Sequence, residues 1–150
     1  MEKYIEKLQG VLKIEAVAVL LMAAVAVVLG EVGVIPNGVV MPHSQEEFVL
    51  NTIAIILTVV GIPGAIRLFT LNTTRGLRRM NYDEALNSYH IWSAVRMVIL
   101  CVTTVFDVAV YYVATSVSGA FCALITLCAV VYCWPSKGKI DSYLKTVNNE

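Results

Sequence analysis

Charge is scarce in this sequence, and the scarcity is uneven. Only 15% of the 150 residues are Asp, Glu, Lys or Arg, against about 25% in a soluble globular domain. Residues 119–134 carry no charge, residues 48–69 carry only Arg67, and residues 11–30 carry only Lys13 and Glu15, both near the start of the run. A helix at a soluble surface needs a polar face, and these runs are apolar all round. That excludes a soluble helical domain built from them.

Cysteine and histidine are scarce as well. Cys101, Cys122, Cys128 and Cys133 form no C-x-x-C pair, and all lie inside or at the edge of an apolar run. Thiols in such places act as small apolar fillers. The two histidines, His43 and His90, fall on opposite sides of the membrane in the topology derived below, so they cannot share a metal. No metal site and no cofactor is expected. No nucleophile–base pair or phosphate-binding loop appears, so an enzyme is not the leading reading. A formal net charge of zero offers nothing to nucleic acid.

What is present is hydrophobicity in blocks. Apolar residues make up 58% of the chain, and the mean hydropathy is +0.75. About 20 helical residues cross a hydrocarbon core about 30 Å thick. Four blocks meet or approach that length, at about residues 11–30, 48–69, 90–114 and 118–134. The fourth is the shortest and needs its flanks. The first run continues to Gly30 with no small-x-small site in a polar context, which argues for a retained span rather than a cleaved signal peptide. The expectation is an all-α, four-helix transmembrane bundle forming a single domain over residues 1–150.

Basic residues orient it. Lys3, Lys7 and Lys13 precede or open the first run; residues 31–47 contain no Lys or Arg; Arg75, Arg78 and Arg79 follow the second run; residues 115–118 contain none; Lys137, Lys139 and Lys145 follow the fourth. Lys and Arg accumulate in cytoplasmic loops, so both termini are expected in the cytoplasm. The location is a multi-pass protein of the cell membrane, the inner membrane if the source is bacterial.

Local signals fill in the elements. Tyr4, Ile5, Leu8, Val11 and Leu12 share a helical face opposite Glu2, Lys3, Glu6 and Lys7. That arm reads either as an amphipathic helix in the interface or as an extension of the first span. The first span is rich in alanine, at Ala16, Ala18, Ala23, Ala24 and Ala26, and small residues let helices approach closely in lipid. Pro36-Asn37-Gly38 lies between short β-branched runs and predicts a turn or small hairpin. Ser44 to Glu47 predicts a capping box. Pro63, between Gly61 and Gly64, predicts a packing kink or a hinge. Asn81, followed by Asp83 and Glu84, predicts a helix start. No Gly or Pro follows until Gly119, so the third helix is expected from about Tyr82 to Ala114. Ile140, Tyr143, Leu144 and Val147 at helical spacing predict a short amphipathic helix after Pro135.

The segment from Trp92 to Val113 poses the functional question, because it holds Arg96 and Asp107. Arg96 falls near the cytoplasmic interface, where its long side chain can snorkel. Glu15 and Arg67 fall at comparable depth, so an ion pair of Glu15 with Arg96 or Arg67 is expected. Asp107 is different. It lies seven residues before Ala114, about 10 Å deep, and an Asp near a helix centre costs about 3 kcal/mol on insertion scales. The outer halves of the other spans contain no Lys or Arg; they contain Asn51, Thr52 and Thr126. Thr103 and Tyr111, four residues on either side, share its helical face. Arg96 lies on that face too, but about 16 Å along the axis.

Three roles for Asp107 follow. It is protonated and hydrogen-bonded to Thr103, Thr104 or Asn51; or it lines a wet cavity and binds a proton or cation; or it meets a polar partner in another subunit. In each, the stripe Tyr89, Arg96, Thr103, Asp107 and Tyr111 points inward or toward a partner. Two function classes remain. One is a structural or interaction subunit, with the lipid bilayer and a second copy or another membrane protein as partners. The other is a small proton- or cation-coupled transporter or channel using Asp107 and a Pro63 hinge.

Overall fold

The computed structural model describes residues 2–76, 81–134 and 136–148. Arg78, Arg79 and Pro135 lie outside them. The fold is all-helical: α1 (Glu2–Glu31), α2 (Gln45–Gly76), α3 (Tyr82–Ala114), α4 (Val117–Tyr132) and α5 (Lys137–Asn148). At 1.5 Å per residue, α1 to α3 are about 45–50 Å long and α4 about 24 Å. By length and composition α1, α2 and α3 can each cross a membrane. The segment expected as a fourth span is helical, but α4 alone, with 16 residues, is shorter than the hydrocarbon thickness. It gains length only with α5, to which it is bent by 63°.

The hub is α3, which packs against α1, α2 and α4. The faces turned inward are built from small residues. On α1 they include Leu12, Ala16, Val19, Ala23, Ala26 and Gly30, a 4-3-4-3-4 spacing that keeps one seam along a neighbour. On α2, Ala54, Thr58 and Ala65 are buried, with Gly61 on the same face. Without a hydrophobic force between helices in lipid, close backbone approach and van der Waals packing hold such a bundle. At Gly119 of α4, a Cβ would stand 2.8 Å from the Tyr111 backbone nitrogen and 2.9 Å from its Cα. Glycine is therefore what lets α3 and α4 meet. The large apolar side chains that would form a soluble core, among them Leu21, Ile56, Val59, Val102 and Phe121, point outward.

Both ends are tied. Ser44 accepts from the Glu47 N–H at 3.2 Å, as a capping box requires, but the return bond is displaced by one residue. It is the His43 N–H that donates to the Glu47 carboxylate, at 2.6 Å. The expected hairpin is not a strand pair: residues 32–44 form successive turns. Their backbone instead covers the end of α3, with the Gly38 and Val40 N–H groups donating to the Tyr112 and Val113 carbonyls at 3.1 and 3.4 Å. Those carbonyls have no partner within the helix, so a loop that caps them replaces a hairpin. Gly38, at φ +64°, occupies the left-handed region that a turn here needs.

At the opposite end, the N-terminal arm continues α1 without a break, so it is an extension of the span and not a separate interfacial helix. Leu12 packs with Tyr89 of α3 and Ile140 of α5, flanked by Ile5, Leu8, Phe69, Leu86 and Tyr143. The C-terminal amphipathic helix thus lays Ile140 on the bundle itself. The side chains of Leu144 and Val147 lie outside the described residues. Lys137 of α5 approaches Glu6 of α1 at 3.7 Å, both exposed. Pro63 sits inside α2, which runs through it as one helix; having no N–H, it cannot bond the Val59 carbonyl one turn back.

Candidate functional site: a buried carboxyl at a three-helix junction

Asp107 is 0% exposed. Two hydroxyls reach its Oδ2, each at 3.0 Å: Thr58 Oγ1 from α2 and Thr126 Oγ1 from α4. One oxygen of α3 therefore joins three helices. Asp107 makes no ion pair among the described residues, and its Oδ1 has no hydrogen-bond partner among them. Gly119 lies about two turns before Thr126 on α4, and a Cβ there would stand 3.2 Å from the Asp107 carbonyl oxygen. The close helix approach that glycine allows is what lets a short threonine reach across.

The protons can be counted. Each threonine hydroxyl has one hydrogen and two acceptors in range. Thr58 also lies 2.9 Å from the Ala54 carbonyl, and Thr126 2.8 Å from the Cys122 carbonyl. When the carboxyl carries a proton, it can donate to one threonine while that threonine donates back along its own helix. When the carboxyl is ionised, both hydroxyls can turn to it, and the two carbonyls keep their helical bonds. Two rotors therefore serve either state without moving a helix.

Of the polar groups expected near Asp107, Thr126 reaches it, while Thr103, Thr104 and Asn51 are engaged elsewhere. Thr103, buried, donates to the Ile99 carbonyl at 2.9 Å, and Thr104 to the Leu100 carbonyl at 2.7 Å; both serve their own helix. Asn51 accepts from Ser116 at 2.7 Å, nearer the turn between α3 and α4. Tyr111 is 38% exposed and its ring meets Tyr112 edge-on, with centroids 5.0 Å apart. The expected polar stripe is thus buried at Tyr89, Thr103 and Asp107 but turns outward at Tyr111. Thr58 escaped the sequence reading. Its signal was the spacing Ala54, Thr58, Gly61, Ala65, a small-residue seam with one hydroxyl in it.

The charges at the other end also pair differently. Glu15 faces His90, Oε1 to Nε2 at 3.4 Å, instead of Arg96 or Arg67. Arg96 turns away, donating to the Cys133 carbonyl at 3.3 Å with its guanidinium 4.3 Å from the Phe69 ring centre. The carbonyl lies at the C-terminal end of α4, where the helix dipole favours a cation. Arg67 is exposed and has no ion pair among the described residues. A further polar contact lies near the C-terminal end of α3: Tyr112 OH donates to Glu31 Oε1 at 2.9 Å, with its ring seated where a Cβ on Gly30 would fall. All four cysteines are free thiols.

No family model, curated protein or solved structure matches the chain.

Proposed function

We propose that this is a small multi-span integral membrane protein of the cell membrane, with both termini in the cytoplasm, acting as a structural or interaction subunit. The observation that carries the reading is the use made of Asp107. Its carboxyl is fully buried and held by hydroxyls from two other helices, so it acts as a clasp at the junction of α2, α3 and α4. The orientation rests on the Lys and Arg pattern. The apolar helices whose large side chains point outward suit a protein that works through lipid and through other helices.

A second reading, proton- or cation-coupled transport through Asp107, is favoured by one observation, the unpartnered Oδ1. Reconstitution into liposomes separates the two. On the clasp reading, wild type and Asp107→Asn show the same proton and cation flux as protein-free vesicles, and the same stoichiometry by cross-linking in the bilayer. Flux above background that Asp107→Asn abolishes, with assembly intact, would establish transport and end the clasp reading.

A further inference from the structure

The end of the bundle opposite the Asp107 junction holds a cavity of about 730 Å³ between the C-terminal turns of α2, the middle of α3 and the start of α5. Among its walls are Phe69, Thr73, Tyr89, Arg96, Lys139 and Tyr143, and no acidic side chain among the described residues lines it. Its two cations among the described residues are held by neutral groups. Arg96 leans on the Cys133 carbonyl and the Phe69 ring. Lys139 donates to the Tyr132 carbonyl at 3.0 Å and sits 5.3 Å from that ring. Neither cation has a carboxylate partner among the described residues. Two side-chain atoms of these lining residues, Arg96 Nε and Thr73 Oγ1, are buried without a hydrogen-bond partner among the described residues. Buried polar groups are ordinarily satisfied, and an orphan calls for an explanation.

An anion answers both cations directly, and a change of rotamer at Arg96 and Thr73 brings their orphaned atoms to it. The geometry points to a phosphate-binding cavity, in which Arg96 and Lys139 supply charge, Thr73 supplies a hydroxyl, and the aromatic walls flank the rest of the ligand. Guanidinium and ammonium groups are the usual protein partners of phosphate. The volume is that of a small-ligand site, larger than an inorganic phosphate and fit for a headgroup. Arg96 lies where the third span meets the interface, so the phosphate of an anionic lipid can reach it from the membrane; a soluble phosphate can reach it from the water. The reading is independent of the role given to Asp107, and flux measurements do not bear on it.

The test uses the full chain with Trp92→Phe, leaving Trp134, which lines the cavity, as the fluorescent reporter. The protein is placed in nanodiscs of phosphatidylcholine alone, or of phosphatidylcholine with phosphatidic acid. Inorganic phosphate is titrated into the first set, and bound lipid is read by native mass spectrometry in the second. Retained phosphatidic acid with no response to inorganic phosphate assigns the headgroup; a saturable Trp134 response in phosphatidylcholine alone assigns the free anion. In either case Arg96→Gln weakens binding by roughly tenfold or more, and Lys139→Gln several-fold. Lys139 is exposed, so its variant decides the matter should Arg96→Gln fail to fold. Lys3→Gln, removing an exposed charge from α1, leaves binding unchanged. Binding of neither probe by wild type, binding that survives both cavity variants, or an equal loss in Lys3→Gln overturns the proposal.

Discussion

Removing the two threonine hydroxyls around Asp107 is expected to damage the protein more than replacing Asp107 itself by asparagine. The reason lies in who keeps a partner. Thr58 and Thr126 each have a fallback acceptor one turn back on their own helix, at 2.9 and 2.8 Å. Asp107 has none, since its Oδ1 is already unpartnered. In Asp107→Asn the amide keeps the side chain's shape and one acceptor oxygen and adds donors, so the three-helix contact survives and stability changes by less than about 1 kcal/mol. Each single Thr→Val removes one bond worth about 0.6 kcal/mol on average in a membrane, with a ceiling of about 1.7. The double variant leaves a buried carboxyl with no partner, and its cost rises above the sum, to about 3 kcal/mol. Asp107→Ala loses both bonds and leaves a small void, but orphans no hydroxyl, for about 2–3 kcal/mol. Reversible unfolding in mixed micelles, followed by helical circular dichroism, gives the order. Asp107→Asn as damaging as Asp107→Ala, or a Thr58→Val/Thr126→Val pair no worse than either single change, would refute the clasp.

Three further outcomes are expected. Gly119→Ala places a methyl 2.8 Å from the Tyr111 backbone nitrogen, which no rotamer can relieve; it should cost about 1–3 kcal/mol in the same unfolding assay, whereas Gly64→Ala, with open space at its Cβ, should cost nothing. Tyr112→Phe loses the bond to Glu31 and should lower stability by about 0.5–1.5 kcal/mol; an unchanged midpoint would show that the Tyr112–Glu31 bond contributes nothing. In a cysteine-free background on intact cells, a membrane-impermeant maleimide should label Met41→Cys, at 77% exposed, and reach Lys145→Cys only after permeabilisation. The reverse pattern would invert the topology.

The helices themselves were legible because their signals are local. Uninterrupted apolar runs, Asn81 with Glu84 behind it, and the absence of Gly or Pro up to Gly119 are enough to place α3 at Tyr82–Ala114, where it is found. The arm before the first span was ambiguous because a periodic apolar face serves an interfacial helix and an extended span equally. Packing of Leu12 with Tyr89 and Ile140 resolved it. The outer loop carried honest turn chemistry at Pro36 to Gly38, but whether its flanks pair with each other or cap α3 depends on a helix end brought in from far along the chain.

By itself, then, the sequence determined an all-helical chain with long apolar runs and a single acid, Asp107, deep within one of them. Composition and spacing suffice for that, since helix formation and transfer into lipid act on each segment separately. Only the tertiary structure decided which groups answer the charges: Thr58 and Thr126 for Asp107, His90 for Glu15, Phe69 and the Cys133 carbonyl for Arg96. Those choices turn on how close and at what rotation the helices meet. That in turn is governed by where Gly61, Gly119 and the alanine seams let backbones approach, a property of pairs of helices that no single segment carries.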